Sequence, residues 1–168
     1  TSLRSLMDTR APAVVAVVVT TGPGTDLEAT LASLVTQDYE DLSILVLANG
    51  ESRDVAARVA SVAPLAFVKI LPENLGYAAA ANEVLGTVQG AAFLLLCHDD
   101  VRLESSATRQ LVEAAYRTNA AVVSPKVVGY EDASALLHVG QMLDRYGSVV
   151  ERIEDGEIDA GQHDAERE

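Results

Sequence analysis

The sequence predicts an α/β fold in which a mostly parallel sheet carries helices on both faces. Short runs rich in valine and leucine alternate with stretches in which apolar residues recur at helical spacing. The first run, residues 14–21, is β-branched and lacks polar alternation, which is typical of a strand buried on both faces. Strands that alternate with helices of about 10 to 13 residues form right-handed crossovers and therefore a parallel sheet.

The elements follow one another regularly up to Pro125. Thr25 and Glu28 have the spacing of a capping box, and a helix with leucines on one side follows. Leu85 and Tyr116 are expected on the buried faces of the third and fourth helices. The predicted strands are residues 14–21, 42–47, 67–71, 92–97 and 120–123, and the remaining helices cover about residues 52–62, 76–88 and 105–116.

The pattern changes after Pro125. Residues 136–143 and 148–153 predict a hairpin around a turn at residues 144–147. The tail is polar and acidic, so we expect it to pack loosely. The chain thus divides into an N-terminal extension, residues 1–13, one domain, residues 14–153, and an acidic tail, residues 154–168.

Composition limits the functional class. The net charge is −13, and eight acids against two arginines lie in the last 18 residues, which argues against binding nucleic acid or anionic lipid. With only two lysines and ten arginines, a site for an anion needs backbone amides or a metal ion. No apolar run reaches the roughly 18 residues of a membrane segment. Cys97 is the single cysteine, which excludes an internal disulfide and fits a cytoplasmic location.

Polar side chains cluster where the predicted parallel strands end. In an open α/β sheet, ligands bind beyond the carboxyl ends of the strands. The residues that follow the first four strands are therefore candidates for a ligand site. They are Thr20, Thr21 and Gly22, then Asn49 and Gly50, then Glu73 and Asn74, and finally His98, Asp99 and Asp100.

The segment from His98 to Val101 carries the sharpest signal. Two adjacent carboxylates leave an apolar strand, and successive side chains of an extended chain point to opposite sides. One of them could hold a cation while the other accepts hydrogen bonds from a ligand. Hard cations use one or two carboxylates together with substrate phosphates. The equal alternative is that Asp99 or Asp100 only caps a turn.

A second constellation is Asn74-Leu75-Gly76, with Asn82 further along. Gly76 permits a close backbone approach at a helix start, where free amides can meet an anion. The alternative is that Asn74 caps the helix and Asn82 is solvated. The glycines at 22 and 24 lack the spacing of a dinucleotide fold or a P-loop.

Taken in order, these segments resemble the family 2 glycosyltransferases, which have the nucleotide-sugar-binding GT-A fold. The resemblance runs from about Val14 to the end of the chain and is closest to bacterial rhamnosyl- and galactofuranosyltransferases of cell-envelope polysaccharides. It rests on VVAVVVTTGPGTDLEATLASLVTQDY, ENLGYAAAAN, FLLLCHDDV, VVSPKVV and LLHVGQMLDRYG.

The resemblance implies a role for each matching residue. Asp100 corresponds to the acid that holds a divalent metal, Mg or Mn, on the donor diphosphate, and Asp99 lies near the donor ribose or the metal. The remaining donor-binding positions are Thr20, Thr21, Asn49, Asn74, Gly76 and Asn82.

The chain departs from the family at three places. His98 stands where the first acid of the DxD motif is expected, and Ala48 stands where an aspartate contacts the nucleobase. The catalytic base is expected in a segment beyond Glu168, so the resemblance implies a GT-A domain truncated before its acceptor side, able to bind the donor but inactive alone.

The implied reaction is an inverting, metal-assisted transfer from a UDP- or dTDP-linked sugar to a glycan or lipid-linked acceptor. The implied location is cytoplasmic, at the inner face of the membrane if segments outside this chain hold it there.

Two other classes remain. A nucleotidyltransferase shares a Rossmann-like donor domain but usually has a basic residue in its first glycine-rich run, and TTGPGTD has none. A regulatory α/β module of the receiver type would place paired acids after the first strand, where this chain has threonines.

Overall fold

The computed structural model of the chain describes residues 11–22, 24, 26–50 and 54–164. The chain divides after Arg109 into two compact units, residues 1–109 and residues 110–168. None of the described helices combines the length and the apolar composition of a membrane span.

The first unit is built on a four-stranded parallel sheet with the strand order β3-β2-β1-β4. β1 lies between β2 and β4, so that Val14 is aligned with Leu42 on one side and with Phe93 on the other. This central place explains why the first apolar run has no polar alternation. The strands are β1 Val14–Thr20, β2 Leu42–Asn49, β3 Phe67–Leu71 and β4 Phe93–His98.

Helices cover both faces of this sheet, as predicted. Successive β1 residues point to opposite faces. Val18 packs with Leu31 on the face that α1 and α2 cover, and Val17 packs with Ala80 on the face that α3 covers. The helices are α1 Leu27–Val35, α2 Val55–Val62, α3 Tyr77–Asn82 with a 3₁₀ turn at Glu83–Gly86, and α4 Ala107–Thr118, which crosses the boundary between the units.

The predicted third helix is shorter than expected. The α-helix ends at Asn82 and continues as a 3₁₀ turn, which has three residues per turn instead of 3.6. Leu85 is thereby rotated away from the apolar stripe and is 73% exposed, so its predicted burial is wrong. Tyr116 on α4 is also exposed, whereas Val112 and Ala115 of the same helix are buried as predicted.

The capping box predicted before α1 is not tested in full, because Thr25 lies outside the described residues. The N-cap residue is Asp26, and its side chain makes no capping hydrogen bond. Glu28 instead forms an ion pair with Arg58 of α2.

The predicted fifth strand, residues 120–123, is wrong. Residues 120–126 form no strand, and Val122 is almost fully exposed. A strand needs a partner for its backbone groups, and among the described residues β4 pairs only with β1.

The second unit contains two small antiparallel pairs. β5 Val127–Val128 pairs with β6 Leu136–His138, and β7 Gln141–Leu143 pairs with β8 Val149–Glu151. The second pair confirms the predicted hairpin for residues 141–143 and 149–151, whereas residues 136–138, expected in its first strand, pair with β5 instead. Its turn is held by the Asp144 carboxylate, which accepts hydrogen bonds from the backbone N–H groups of Tyr146 and Ser148 at 2.8 and 2.9 Å.

Residues 157–164 of the acidic tail are mostly exposed, in line with the expected loose packing, but hydrogen bonds and ion pairs attach them to the rest of the second unit. The backbone of Glu157 accepts a hydrogen bond from Leu136, and the backbone N–H of Asp159 donates to Ser134. Lys126 Nζ lies 2.7 Å from the Asp159 carboxylate and 2.6 Å from that of Asp164. This cation and the backbone pairing offset the repulsion on which the expectation was based.

Candidate functional site

Most of the sequence-predicted site residues lie at or next to the carboxyl edge of the parallel sheet. Thr20 and Asn49, at the ends of β1 and β2, are buried, while Thr21 is exposed. His98 ends β4 beside Val19 of β1. The parallel register therefore places the first-strand threonines, Asn49 and the His98–Asp100 segment along one edge.

Asn49 is fully used in holding the loop that follows β3. Its Nδ2 donates to Asn74 Oδ1 at 3.0 Å and to the Gly76 carbonyl at 3.4 Å, and its Oδ1 accepts from Leu75 N at 2.9 Å. Gly50 has φ of 109°, which residues with a side chain rarely adopt, and a Cβ there would be in ordinary contact with Asn74 at 3.4 Å. The Asn49 side chain thus fixes the conformation of residues 74–76 at the carboxyl edge of the sheet.

Asn74 does not cap α3 in the way the alternative interpretation expected. The N-cap residue is Gly76, and Asn74 Oδ1 accepts a hydrogen bond from Gly76 N at 2.9 Å within a local turn. Gly76 has φ of 77° and open space where a side chain would stand. Asn82 lies exposed at the end of α3.

Tyr77 and His98 form a stacked aromatic pair at this edge. Their ring centroids lie 4.0 Å apart and their planes differ by 8°. Burial raises the pKa of the Tyr77 hydroxyl. Sequence reasoning missed this pair, although the placement of Tyr77 after Gly76 and of His98 at the end of β4 could have suggested it.

Asp99 is half-buried, and Asp100 is exposed. Across the part of the chain that the structure describes, no three His, Cys, Asp or Glu side chains are grouped as a metal site. The turn therefore offers at most two carboxylates. Such a donor set fits a hard cation that takes its other ligands from a bound phosphate compound and from water.

Side chains from α1 anchor the chain that follows these two acids. Thr30 is fully buried, and its Oγ1 accepts a hydrogen bond from Val101 N at 3.2 Å. Gln37 Nε2 donates to the Glu104 carbonyl at 2.8 Å, and its Oε1 accepts from Thr108 N at 2.9 Å. The chain that follows Asp99 and Asp100 is thereby fixed to α1 and to Gln37 just after it. Sequence reasoning did not single out Thr30 or Gln37.

Arg58 holds the loop between β1 and α1. Its guanidinium contacts both Glu28 carboxylate oxygens at 2.6 Å and donates to the Gly22 and Gly24 carbonyls at 2.5 and 2.7 Å. The hydrogen bond from Arg58 lowers the pKa of Glu28 to about 2. Within the same loop, Thr20 Oγ1 accepts a hydrogen bond from Gly22 N at 3.1 Å.

Cys97 and His163 are two further groups with chemically reactive side chains. Burial raises the pKa of the Cys97 thiol to about 12, which removes it as a nucleophile near neutral pH. In the second unit, His163 Nε2 lies 2.8 Å from Glu157 Oε1. Together with Gln162 and a backbone N–H, this contact lowers the pKa of Glu157 to about 2.

Comparison with known proteins provides evidence on the fold of the chain and on its family. A search among curated protein sequences finds no match to this chain. Among solved structures, the chain is similar to a mannosyltransferase from Pyrobaculum calidifontis in complex with GDP-Man and Mn²⁺, at 22% identity and a TM-score of 0.52. The likeness covers 71% of this chain and 35% of that one, so this chain spans about a third of that enzyme's length.

The structural likeness confirms the α/β fold with a mostly parallel sheet, as in GT-A enzymes. The family model for glycosyl transferase family 2 matches residues 15–162, which is most of the chain. The chain therefore belongs to glycosyl transferase family 2.

Proposed function

We propose that the carboxyl edge of the sheet binds the nucleoside diphosphate of a sugar donor, with a divalent cation held by Asp100 and Asp99. The observation that carries this proposal is the place of Asp100. Its carboxylate is exposed at the end of β4, beside the central strand, on a turn that Thr30 anchors. A fixed, exposed carboxylate at a ligand-binding edge is suited to a cation that a phosphate compound brings with it.

The charge of the site supports a role for a cation. A diphosphate would meet Asp99 and Asp100 in a chain of net charge −13. The guanidinium of Arg58 is already engaged by Glu28 and by two backbone carbonyls. When bound, a divalent cation offsets the charge of the diphosphate leaving group. The mannosyltransferase with the similar fold carries GDP-Man and Mn²⁺, which supports a donor and a metal of these classes.

The residues proposed to form the donor site fall into two groups, one exposed to solvent and one buried. Thr21, Gly76 and Asn82 are exposed and available to a ligand, whereas Thr20 and Asn49 are buried and give the site its shape. Asn74 belongs with Asn49, because its side-chain oxygen accepts hydrogen bonds inside the loop. Ala48 is fully buried. It stands at the position where the family has an aspartate that contacts the nucleobase.

For the transfer reaction itself, we propose that the sugar of a UDP- or dTDP-linked donor is transferred with inversion to a cell-envelope glycan or a lipid-linked acceptor. The resemblance of the chain to bacterial rhamnosyl- and galactofuranosyltransferases supports this proposal.

Calorimetric titration with GDP, UDP and dTDP, each with and without Mn²⁺, tests the donor site. We expect binding that requires Mn²⁺, and we expect Asp100→Asn to weaken it by about tenfold or more, the loss of one charged ligand. Glu40→Gln is the matched control, because Glu40 is exposed just before β2, at the opposite edge of the sheet. Unchanged affinity in Asp100→Asn would refute the metal assignment.

A further inference from the structure

The interactions of Arg58 differ from those of Lys69, the cation of another described ion pair. Its side chain is 21% exposed, and its guanidinium makes four hydrogen bonds, two to Glu28 and two to backbone carbonyls. The Lys69–Glu83 pair, on the edge strand β3, involves a cation that is 33% exposed and touches no backbone group. A guanidinium that binds a carboxylate through two nitrogens has a fixed orientation, which a lysine cannot reproduce.

The two carbonyls that Arg58 binds belong to the segment that leaves β1 at the proposed donor site. Gly22 and Gly24 have φ of 97° and 149° and lie between Thr21 and α1. Glycines with such backbone angles have many alternative conformations, so this segment needs an external contact to keep one of them. Arg58 supplies that contact from α2, and Glu28 of α1 fixes the orientation of its guanidinium.

The same contacts have an electrostatic consequence. A carbonyl oxygen carries a partial negative charge, and the carbonyl oxygens of Gly22 and Gly24 are both directed at the Arg58 guanidinium. Hydrogen bonds to a cation neutralise both oxygens. The hydrogen bond to Glu28 raises the pKa of the Arg58 guanidinium, and the charges of Asp99 and Asp54 add smaller effects in the same direction.

We propose that Arg58 is a positioning residue of the donor site: it holds the carbonyls of Gly22 and Gly24 through a guanidinium oriented by Glu28, and so keeps the chain after β1 in the conformation that accepts a nucleoside diphosphate. The inference rests on the proposed function. It places Arg58 behind the segment that meets the ligand, since four of its five N–H donors are engaged by the protein itself.

The test compares Arg58→Lys, Arg58→Gln and Glu28→Gln with wild type, and it uses Lys69→Gln as a control that removes one charge elsewhere. Two quantities are measured well below each variant's melting temperature. The first is the affinity for GDP, UDP and dTDP with Mn²⁺, and the second is the amide hydrogen exchange of Gly22 and Gly24 by NMR. Glu28→Gln keeps every cation in place and therefore remains informative if the Arg58 variants do not fold.

We expect both Arg58 variants to weaken nucleotide binding by about tenfold and to speed exchange at the two glycines, because lysine lacks the planar fork. We expect Glu28→Gln to shift both quantities in the same direction and Lys69→Gln to shift neither. Normal affinity in Arg58→Lys with a loss in Arg58→Gln would mean that only the charge matters, which overturns the inference. Faster exchange with unchanged affinity would reduce Arg58 to a structural role and overturn it as well.

The wild-type chain separates this inference from the proposed function. If it binds none of the three nucleotides with Mn²⁺, the proposed function fails, and the donor-site role of Arg58 fails with it. If it binds and the Arg58 variants match it in affinity and exchange, only the inference about Arg58 fails.

Discussion

Single buried polar side chains decide the shape of the carboxyl edge. Thr30 and Asn49 are both almost fully buried, and each uses its hydrogen-bonding atoms on the backbone of a loop that follows a strand. Buried polar groups need partners, and removing one partner leaves the other uncompensated. The loops of this site are therefore held by polar atoms, whereas the sheet beneath them is held by apolar packing.

Replacing Thr30 by valine should destabilise the fold by about 1–2 kcal/mol, because the two side chains have the same shape and only the acceptor for Val101 N–H is lost. Urea unfolding measures this change. Thr36→Val is the control. Thr36 is exposed and bonds only to carbonyls of its own helix, so a change below about 0.5 kcal/mol is expected. Equal effects of the two substitutions would contradict the anchoring role of Thr30.

The Glu28–Arg58 pair should give the fold an acid-sensitive contribution. The pKa of Glu28 falls from 4.5 to about 2 on folding, so its contribution is complete above pH 4.5 and is lost as the pH falls towards 2. Glu28→Gln should therefore lose less stability than wild type between pH 4.5 and pH 2. Thermal melting across this range measures the difference.

Arg58→Gln removes the partner and should flatten the same part of the pH profile. A wild-type profile in both variants would show that Glu28 has an ordinary pKa.

At the scale of the elements, the place of a strand in the sheet governs its burial. β1 and β4 are both apolar, yet β1 is buried along its length, whereas Leu94 and Leu96 of β4 are 40% and 52% exposed. β4 is an edge strand among the described elements, so it has fewer neighbours to cover it. In the second unit, a charged side chain holds a segment in place. Lys126 forms ion pairs with Asp159 and Asp164 of the acidic segment.

Lys126→Ala should loosen the acidic segment of the second unit. Without this cation the carboxylates of Asp159 and Asp164 repel each other and the remaining acids, so the backbone pairs that hold the segment should open more often. Amide exchange of Leu136 and Asp159 reports these pairs directly.

Arg145→Ala removes the same charge from the hairpin turn and serves as the control, since Arg145 packs over the ring of its neighbour Tyr146. If Lys126→Ala leaves the exchange of both amides unchanged, the cation does not hold the segment.

For the whole molecule, the decisive property is its negative charge. A chain of net charge −13 repels a nucleoside diphosphate at long range, and a divalent cation reduces that repulsion by forming a complex with the ligand. We therefore expect this acidic chain to bind a nucleoside diphosphate only when a divalent cation is present.

Nucleotide should raise the melting temperature only in the presence of Mn²⁺. At a ligand concentration about 100 times Kd, binding contributes about 2.7 kcal/mol, which corresponds to a rise of roughly 5–10 °C for a chain of this size. Addition of EDTA should abolish the rise, and Asp100→Asn should reduce it. An equal rise with EDTA would contradict a metal-dependent site.

The sequence by itself determined the first four strands, their parallel arrangement and the edge at which the polar residues meet. These features depend on local periodicity and on the handedness of short crossovers, which a run such as residues 14–21 expresses without reference to distant residues. Asp99 and Asp100 could be placed at the end of β4 for the same reason. The family resemblance added their proposed roles.

Only the tertiary structure decided which side chains hold that edge in shape. Thr30 meets Val101 across 71 positions of sequence, and Arg58 meets Glu28 across 30. The stacking of Tyr77 on His98 likewise joins two separate elements. Residues 120–123 have a strand-like composition but pair with none of the strands that the structure describes, and Lys126 binds the acidic tail from another segment. In each case the outcome depends on a distant partner, and local pattern carries no information about where that partner lies.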